Sequence, residues 1–239
     1  NNADITLNNA NAFTGTVALN TTGSTGNALI DNGITALNLA ASSVGGYLTL
    51  TSGHASGITD SGTVTVGGNL IATTDANNGV INLGTLAVDG TVQLTTNGNG
   101  AATVVNDARL DFAASTVGGN LAATATTGNI VDSGVLTVTG TSSFTTSQNN
   151  ADIYLNNTNA FTGAVSLNTT GSSGHAIVDN GITALNLAAS SVGGYLTLTS
   201  GHASGITDSG TVTVGGNLVA TTDAANGVIT MDGLRVDGT

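Results

Sequence analysis

The side chains best suited to chemistry are acidic, and they recur at the same place in a short apolar motif. This series keeps Asp or Asn two residues after an apolar position, with Leu7 and Leu155 as its breaks; its members are Asp31, Asp60, Asn82, Asn106, Asp132, Asp179 and Asp208. Oxygen ligands from neighbouring turns are what Ca²⁺ requires. The same residues also accept backbone hydrogen bonds in tight turns, and Gly or Ser-Gly follows several of them. We expect the turn role and keep calcium as the alternative.

Two of these aspartates could also serve a glycosidase. A hydrolase of this kind needs two carboxylates about 5 to 9 Å apart, and Asp31 and Asp60 could stack at that distance. The pair would recur as Asp179 and Asp208, and a catalytic cleft duplicated along a tandem array is improbable. Lyases acting on acidic sugars need cations, of which this chain has two. We therefore expect no enzyme and no catalytic residue, with a polysaccharide-acting enzyme as a minor alternative.

The three histidines do not form a cluster in the sequence. His54 and His202 occupy the same position in two copies of a repeat, and His175 replaces Asn27 of the first copy. A metal or general-base role needs partners of matched geometry, and no His lies near another in sequence. We expect surface turn positions and predict no metal or cofactor site.

Three tyrosines could present flat faces to sugars. They are Tyr47, Tyr154 and Tyr195. Aromatic rings also pack along strands for ordinary structural reasons. We expect packing and keep sugar stacking as the functional alternative.

The charge balance excludes several classes of partner. The 239 residues include 2 Lys+Arg and 14 Asp+Glu, with a formal net charge of −12 and no Cys, Pro or Trp. All the acids are Asp, and the bases are Arg109 and Arg235. Nucleic-acid binding draws its affinity from many Lys and Arg contacts, so nucleic acid is not expected as a partner. No apolar stretch approaches the roughly 18 residues of a membrane span, so we expect no membrane insertion.

Repetition is the dominant signal. The segment 1–91 recurs as 149–239, at an offset of 148 residues. We predict one solenoid segment over 1–239, with a first large repeat at 1–148 and a partial second at 149–239. A shorter period is anchored by an apolar residue followed two positions later by Gly. These anchors are Phe13, Val44, Val66, Val88, Val117, Val138, Phe161, Val192, Val214 and Val236.

The anchor spacing predicts the coil length. Most intervals are about 22 residues, within the range of solenoid repeats. Three are clearly longer, and they run from Phe13 to Val44, from Val88 to Val117 and from Phe161 to Val192. Between anchors, apolar residues alternate with polar ones in short runs separated by Gly, Asn, Ser and Asp, which is strand periodicity with turns.

Units of this kind bury their apolar side chains by stacking on one another. We therefore predict an all-β parallel β-helix with coils of about 22 residues and some longer inserted coils.

Two apolar columns are expected to line the interior. The first holds Val17, Leu48, Leu70, Val92, Leu121, Val165, Leu196 and Leu218, and breaks at Ser142, where Phe144 could fill the gap. The second holds Ile5, Leu29, Ile58, Val80, Val104, Ile130, Ile153, Ile177, Ile206 and Val228. The nine anchor intervals predict a rod of about 43 Å, and six intervals predict about 29 Å for one large repeat.

Several short sequence segments resemble those of the filamentous-haemagglutinin-like exoproteins of bacteria. They are Val66-Gly-Gly-Asn-Leu70, Val117-Gly-Gly-Asn-Leu121, Gly128-Asn-Ile-Val-Asp-Ser-Gly-Val135 and Val138-Thr-Gly-Thr141. The resemblance extends over the whole repetitive chain. It implies a right-handed parallel β-helix shaft that is exported and displayed at the bacterial cell surface or shed. Other repetitive bacterial surface proteins, including sheath and surface-layer proteins, have similar phrases.

The favoured function is a structural and adhesive one. We expect the repetitive extracellular shaft of a bacterial surface adhesin or fibre, without catalysis. The alternative is a self-assembling structural polymer of a sheath, surface layer or extracellular filament. Expected partners are other copies of the rod, end to end or laterally, and a host or neighbouring cell surface or extracellular polysaccharide reached through regions outside this chain.

Overall fold

The computed structural model describes residues 2–239, and these form thirty short β-strands and no helix. Every strand pair is parallel, and the strands make two sheets of 14 and 16 strands, here called sheet A and sheet B. The all-β parallel solenoid predicted from the alternating pattern is confirmed.

The strands of the first half of the chain are short and evenly distributed. In chain order they are β1 (Ile5–Leu7), β2 (Thr16–Val17), β3 (Ala28–Asp31), β4 (Leu37–Leu39), β5 (Ser42–Val44), β6 (Leu48–Ser52), β7 (Ile58–Asp60), β8 (Val64–Val66), β9 (Leu70–Asn77), β10 (Ile81–Val88), β11 (Thr91–Asn97), β12 (Ala102–Asn106), β13 (Leu110–Phe112), β14 (Ser115–Val117) and β15 (Leu121–Ala125).

The second half continues in the same way. Its strands are β16 (Ile130–Asp132), β17 (Leu136–Val138), β18 (Ser142–Asn149), β19 (Ile153–Leu155), β20 (Ala160–Phe161), β21 (Val165–Thr170), β22 (Ala176–Asp179), β23 (Leu185–Leu187), β24 (Ser190–Val192), β25 (Leu196–Ser200), β26 (Ile206–Asp208), β27 (Val212–Val214), β28 (Leu218–Thr222), β29 (Ile229–Thr230) and β30 (Leu234–Val236).

The chain passes from sheet A to sheet B and back once per coil. The main path of sheet A runs β1-β3-β6-β9-β11-β13-β16-β19-β22-β25-β28, and that of sheet B runs β2-β4-β7-β10-β12-β15-β18-β21-β23-β26-β29. Each path holds eleven strands, so the solenoid has about eleven coils. At about 4.8 Å per coil, the ten steps between them give a rod of about 48 Å rather than the predicted 43 Å.

The predicted inserted coils are absent from residues 2–239. The smallest sequence separation between paired residues of neighbouring coils is that between Ala102 and Leu121. The separation between Ile5 and Ala28 is among the largest, and it is only four positions more. Seven such steps lead from Ile5 to Ile153 along sheet A. One large repeat therefore holds seven coils and measures about 34 Å, rather than six coils and 29 Å.

The long anchor intervals have another cause, because the anchor motif changes sheets. Val44, Val66 and Val88 lie in sheet B. The next three anchors, Val117, Val138 and Phe161, lie in sheet A, and the last three, Val192, Val214 and Val236, lie in sheet B again. The long interval from Val88 to Val117, like that from Phe161 to Val192, therefore spans about one and a half coils.

In each coil, one sheet contributes a single straight strand, and the other contributes two short strands separated by a bend, here called the bent pair. The sheet that carries the bent pair changes along the rod. Where β6 is the single strand in sheet A, β7 and β8 form a bent pair in sheet B. Further along, β16 and β17 form the bent pair in sheet A opposite the single strand β18 in sheet B. The bent pair returns to sheet B at β23 and β24. The anchor motif ends the second strand of the bent pair, which explains why it moves with the bend.

Buried serines lie where a straight strand of one coil is stacked against a bent pair of the next coil in the same sheet. Ser42 Oγ accepts the backbone N–H of Leu19 at 3.0 Å and donates to the carbonyl of Ala40 at 2.8 Å. The same two bonds are made by Ser115 and Ser190 with the corresponding residues. The bend interrupts the ladder, and the hydroxyl supplies the partner that a buried backbone group requires.

Buried asparagines lie where a bent pair of one coil is stacked against a straight strand of the next coil in the same sheet. Asn180 Oδ1 accepts the N–H of Phe161 at 2.7 Å, and its Nδ2 donates to the carbonyl of the same residue at 3.1 Å. Asn32 and Asn106 bond in the same way to Phe13 and Val88, and the three asparagines are fully buried. They are equally spaced, at half the length of the large repeat. The large repeat is therefore two half-repeats of three and a half coils, with the sheets exchanged.

The two predicted apolar columns are wrong as drawn, although most of their members are interior. In the first column, Val17, Leu121 and Val165 belong to sheet B and the remaining members to sheet A. In the second, Leu29 and Ile177 are only partly buried, Val80 lies between strands, and Val228 is 53% exposed. The actual interior columns follow one sheet at a time, as Leu48, Leu70 and Val92 do.

Ser142 is a polar residue within an otherwise apolar interior column of sheet B. Its backbone pairs with Leu121 on one side and Val165 on the other, and its hydroxyl has no hydrogen-bond partner among the described groups. Phe144 does not fill that column. It occupies the next inward column beside the small Ala123, and its ring packs edge-on to Phe112 and Phe161 at centroid distances of 6.4 and 5.6 Å.

Candidate functional site

The aspartates of the predicted series bond backbone amides. Asp31 and Asp179 each accept the N–H of the glycine two residues on, at 2.8 Å, as Asx turns do. Asp60 reaches into the next coil, where its two carboxylate oxygens accept the N–H groups of Gly84 and Thr85 at 2.9 and 2.8 Å. Asp208 makes the same bridge to Asp232 and Gly233 at 3.1 and 2.8 Å. The bridging carboxylates fasten one coil to the next.

The two aspartates considered as a hydrolase pair under the minor alternative are not brought together. Asp31 ends β3 in sheet A, whereas Asp60 ends β7 in sheet B. Their counterparts Asp179 and Asp208 are separated in the same way. The pairing fails because the two aspartates are about one and a half coils apart, which puts them on opposite sides of the rod.

Asp132 is the most buried of the bridging aspartates. It accepts the N–H groups of Asn156 and Asn157 at 3.0 and 3.2 Å and the side-chain N–H of Asn159 at 2.7 Å. Desolvation by burial raises the pKa of Asp132 above its usual value of 3.8, and these three hydrogen bonds offset part of that shift. No group of three or more His, Cys, Asp or Glu side chains with metal-holding geometry occurs within residues 2–239.

The histidines act as hydrogen-bond acceptors in turns. His54 Nδ1 accepts the backbone N–H of Ser56 at 3.0 Å, and His202 does the same with Ser204. Both rings are exposed at the surface. Their placement agrees with the surface turn positions predicted for them.

The third histidine takes part in an aromatic cluster. His175 Nδ1 accepts the N–H of Tyr195 at 3.0 Å, and the two rings stack with centroids 3.7 Å apart and planes at 15°. The Tyr154 hydroxyl donates to Asp152 at 2.8 Å. Burial raises the pKa of Tyr154, and hydrogen bonds to Asp152 and Tyr195 raise it further. Tyr154 and Tyr195 are thus packed against neighbours, as expected.

Tyr47 differs from the other two tyrosines. It is 57% exposed, and its backbone N–H bonds to Asn27 Oδ1 at 2.8 Å. A surface groove of about 340 Å³ lies beside it, lined by Ser24, Thr25, Asn27, Gly45, Gly46, Gly67 and Gly68. Other grooves of about 240 to 420 Å³ lie along the rod. The Tyr47 groove has an exposed aromatic ring among its lining residues, which these other grooves lack.

Two isoleucines were missed as candidate surface residues. Ile34 and Ile182 are 86% and 85% exposed, although their type normally lies in a core. They occupy the same turn in the two large repeats. The identical phrase Asp-Asn-Gly-Ile-Thr at 31–35 and 179–183 contains an apolar residue inside a turn, and this was the signal available in the sequence.

No described residue contributes to a helix able to cross a membrane. Comparison with curated proteins and with solved structures finds no match. One family, described as repeats of unknown function (DUF5649), matches residues 25–83, 99–168 and 173–237. The starts of the three matches are spaced as Asn32, Asn106 and Asn180 are, and the matches together cover well over half of the 239 residues. The chain therefore belongs to the DUF5649 family of repeats.

Proposed function

We propose that this chain is the repetitive shaft of a bacterial extracellular surface fibre, of the kind found in filamentous-haemagglutinin-like adhesins. The observation that carries the proposal is the unbroken parallel pairing from β1 to β28 and from β2 to β29. Each further coil adds about 4.8 Å of length and repeats the same contacts. Such a segment serves by holding other parts of a protein at a distance.

The surface of the rod fits an extracellular role. Its net charge of −12 opposes collapse of neighbouring rods onto one another. Arg109 pairs with Asp111 at 3.0 Å and Arg235 is the other base, so trypsin-like proteases find few cleavage sites. In this proposal the protein acts without catalysis or cofactor, and host or neighbouring cells are contacted through regions outside the repeats.

Immunogold electron microscopy of the cells that make this protein tests the proposal. Antibody raised against the repeat should label thin fibres that project outward, at intervals along each fibre. Label confined to the cell interior would refute an extracellular shaft. A continuous coat, or bundled filaments that join cells, would favour the second candidate instead.

The second candidate is a self-assembling polymer of a sheath, surface layer or filament. The exposed Ile34 and Ile182 favour it, because they repeat along one edge at a spacing of seven coils, about 34 Å. A neighbouring rod has the same spacing, so two weak apolar contacts could form together. Sedimentation velocity should then show association that the double substitution Ile34→Ser and Ile182→Ser removes, and a chain that stays monomeric at every concentration would refute it.

A further inference from the structure

The groove beside Tyr47 lies on an edge of the rod that can be compared between the two large repeats. Tyr47 and Tyr195 each stand immediately before an interior strand residue, and their carbonyls accept the N–H groups of Ala28 and Ala176 at 2.8 and 3.0 Å. The next coil contributes Asn69 in the first copy and Asn217 in the second, each bonded to the residue one coil further on. The backbone frame around the two tyrosines is therefore the same.

The two copies differ in what covers the tyrosine ring. In the second copy His175 stacks on Tyr195 with ring centroids 3.7 Å apart, and Tyr154 lies close enough to Tyr195 for the two side chains to interact. The corresponding residues of the first copy are Asn27 and Thr6, which carry no ring. Tyr195 is accordingly 37% exposed and Tyr47 is 57% exposed. The second copy shows that a flat ring fits against this tyrosine face, and the first copy leaves that face open.

We infer that the Tyr47 groove binds a neutral sugar ring, with the apolar face of the sugar on the tyrosine. The groove volume of about 340 Å³ lies at the lower end of the range of small-molecule sites, about 300 to 1,000 Å³. Its rim offers the hydroxyls of Ser24 and Thr25 and the amide of Asn27, which suit the hydroxyls of a sugar. Aromatic rings flanked by such groups are suited to ligands with one apolar face and a polar edge.

Charge decides the class of sugar. Neither Arg109 nor Arg235 lines the groove, and Asp4 lies beside it, where its carboxylate accepts the N–H of Asn27 at 2.7 Å. An anionic sugar would meet this carboxylate and the net charge of −12 without a cation to pair with it. The site therefore selects neutral over acidic oligosaccharides. The inference does not depend on the proposed shaft, since it concerns binding by the purified chain.

The chain has 3 tyrosines, so tyrosine-selective ¹³C labelling gives a simple NMR readout of the inference. The purified chain is titrated with cellohexaose, xylohexaose, maltohexaose and hexa-N-acetylchitohexaose, and with hexagalacturonate as the acidic counterpart. We expect a saturable shift of the Tyr47 ring signal with at least one neutral oligosaccharide, and none with hexagalacturonate. No saturable shift at Tyr47 with any of the four neutral probes would overturn the inference.

The second copy supplies the matched variants. Asn27→His places above Tyr47 the ring that already covers Tyr195, so the Tyr47 shift should disappear while the fold is kept. The double variant Tyr154→Thr and His175→Asn gives the second copy the residues of the first, so the Tyr195 signal should begin to shift with the same sugar. Binding that survives Asn27→His, or a Tyr195 signal that stays unmoved in the double variant, would count against stacking on the open face. A Tyr47 shift with a phenylalanine-containing peptide and not with sugars would overturn the inference by identifying a protein side chain as the occupant.

Discussion

The buried Asn180 gives the sharpest test of how the solenoid exchanges its bent and straight sides. Asn180→Leu keeps a side chain of similar size but removes the acceptor for the N–H of Phe161 and the donor to its carbonyl. The carbonyl of Ala184 also loses a bond of 2.9 Å, whereas that of Thr183 keeps its bond from Ser200.

The expected cost follows from the groups left unpaired. Each buried polar group without a partner costs about 1 to 3 kcal/mol. Phe161 is fully buried whereas Ala184 is only partly buried, so we count the two groups of Phe161, which together predict a loss of about 2 to 6 kcal/mol in the free energy of unfolding. Because the same bonds exist in the opposite sheet, Asn106→Leu should lose a similar amount.

Urea unfolding followed by far-ultraviolet circular dichroism measures this loss. The control is Asn186→Leu, shortly after Asn180 in the chain, where the side chain is only partly buried and its one bond, from Thr207 at 3.5 Å, is long. That variant should stay within about 0.5 kcal/mol of the wild type. If Asn180→Leu and Asn186→Leu unfold at the same urea concentration, the role assigned to the buried asparagines is wrong.

Three further outcomes are expected. Ser142→Val should raise the free energy of unfolding, measured by urea titration, by about 1 to 2 kcal/mol, because it removes an unpaired hydroxyl from the core. A urea midpoint equal to or lower than that of the wild type would contradict this. The raised pKa of Asp132 means that the folded state holds its proton more tightly, so its stability contribution is fully present below pH 3.8 and is lost as pH rises through the folded value. In paired urea titrations, the free energy of unfolding of the wild type relative to that of Asp132→Asn should therefore increase as the pH is lowered from 7 to 4. A difference that does not change with pH would argue against the raised pKa. Because the bridging carboxylates already accept two backbone amides each, EDTA should leave the melting temperature unchanged; a clear fall would restore calcium as a ligand.

The sequence pattern was sufficient for the fold class but not for the path of the chain. Alternation such as Leu48-Thr-Leu50 identifies a strand with one buried side, and the recurrence of such runs predicts stacking. Alternation does not say which of two similar sheets a strand joins. Val88 and Val117 have the same motif and lie in different sheets, so the interval between them resembles an insertion although it is one and a half coils.

The surface features were harder to predict for a different reason. Asn27 and His175 look like an ordinary substitution in sequence, and only the stacking distance shows that one leaves a tyrosine face open and the other covers it. The half-repeat, by contrast, has a sequence signal. Leu37-Asn-Leu-Ala-Ala-Ser42 and Leu110-Asp-Phe-Ala-Ala-Ser115 are similar phrases, but they are much weaker than the near-identity of the two large repeats.

The exchange of the bend between the two sheets bears on the mechanics of a long array. A bent pair kept always on one side would shorten or lengthen that side in every coil, and the small differences would add up to a curved or coiled filament. Here the bend moves to the opposite side after three and a half coils and returns within one large repeat. We expect the two biases to cancel, so an array of many repeats extends along a straight axis and its reach increases in direct proportion to the number of copies.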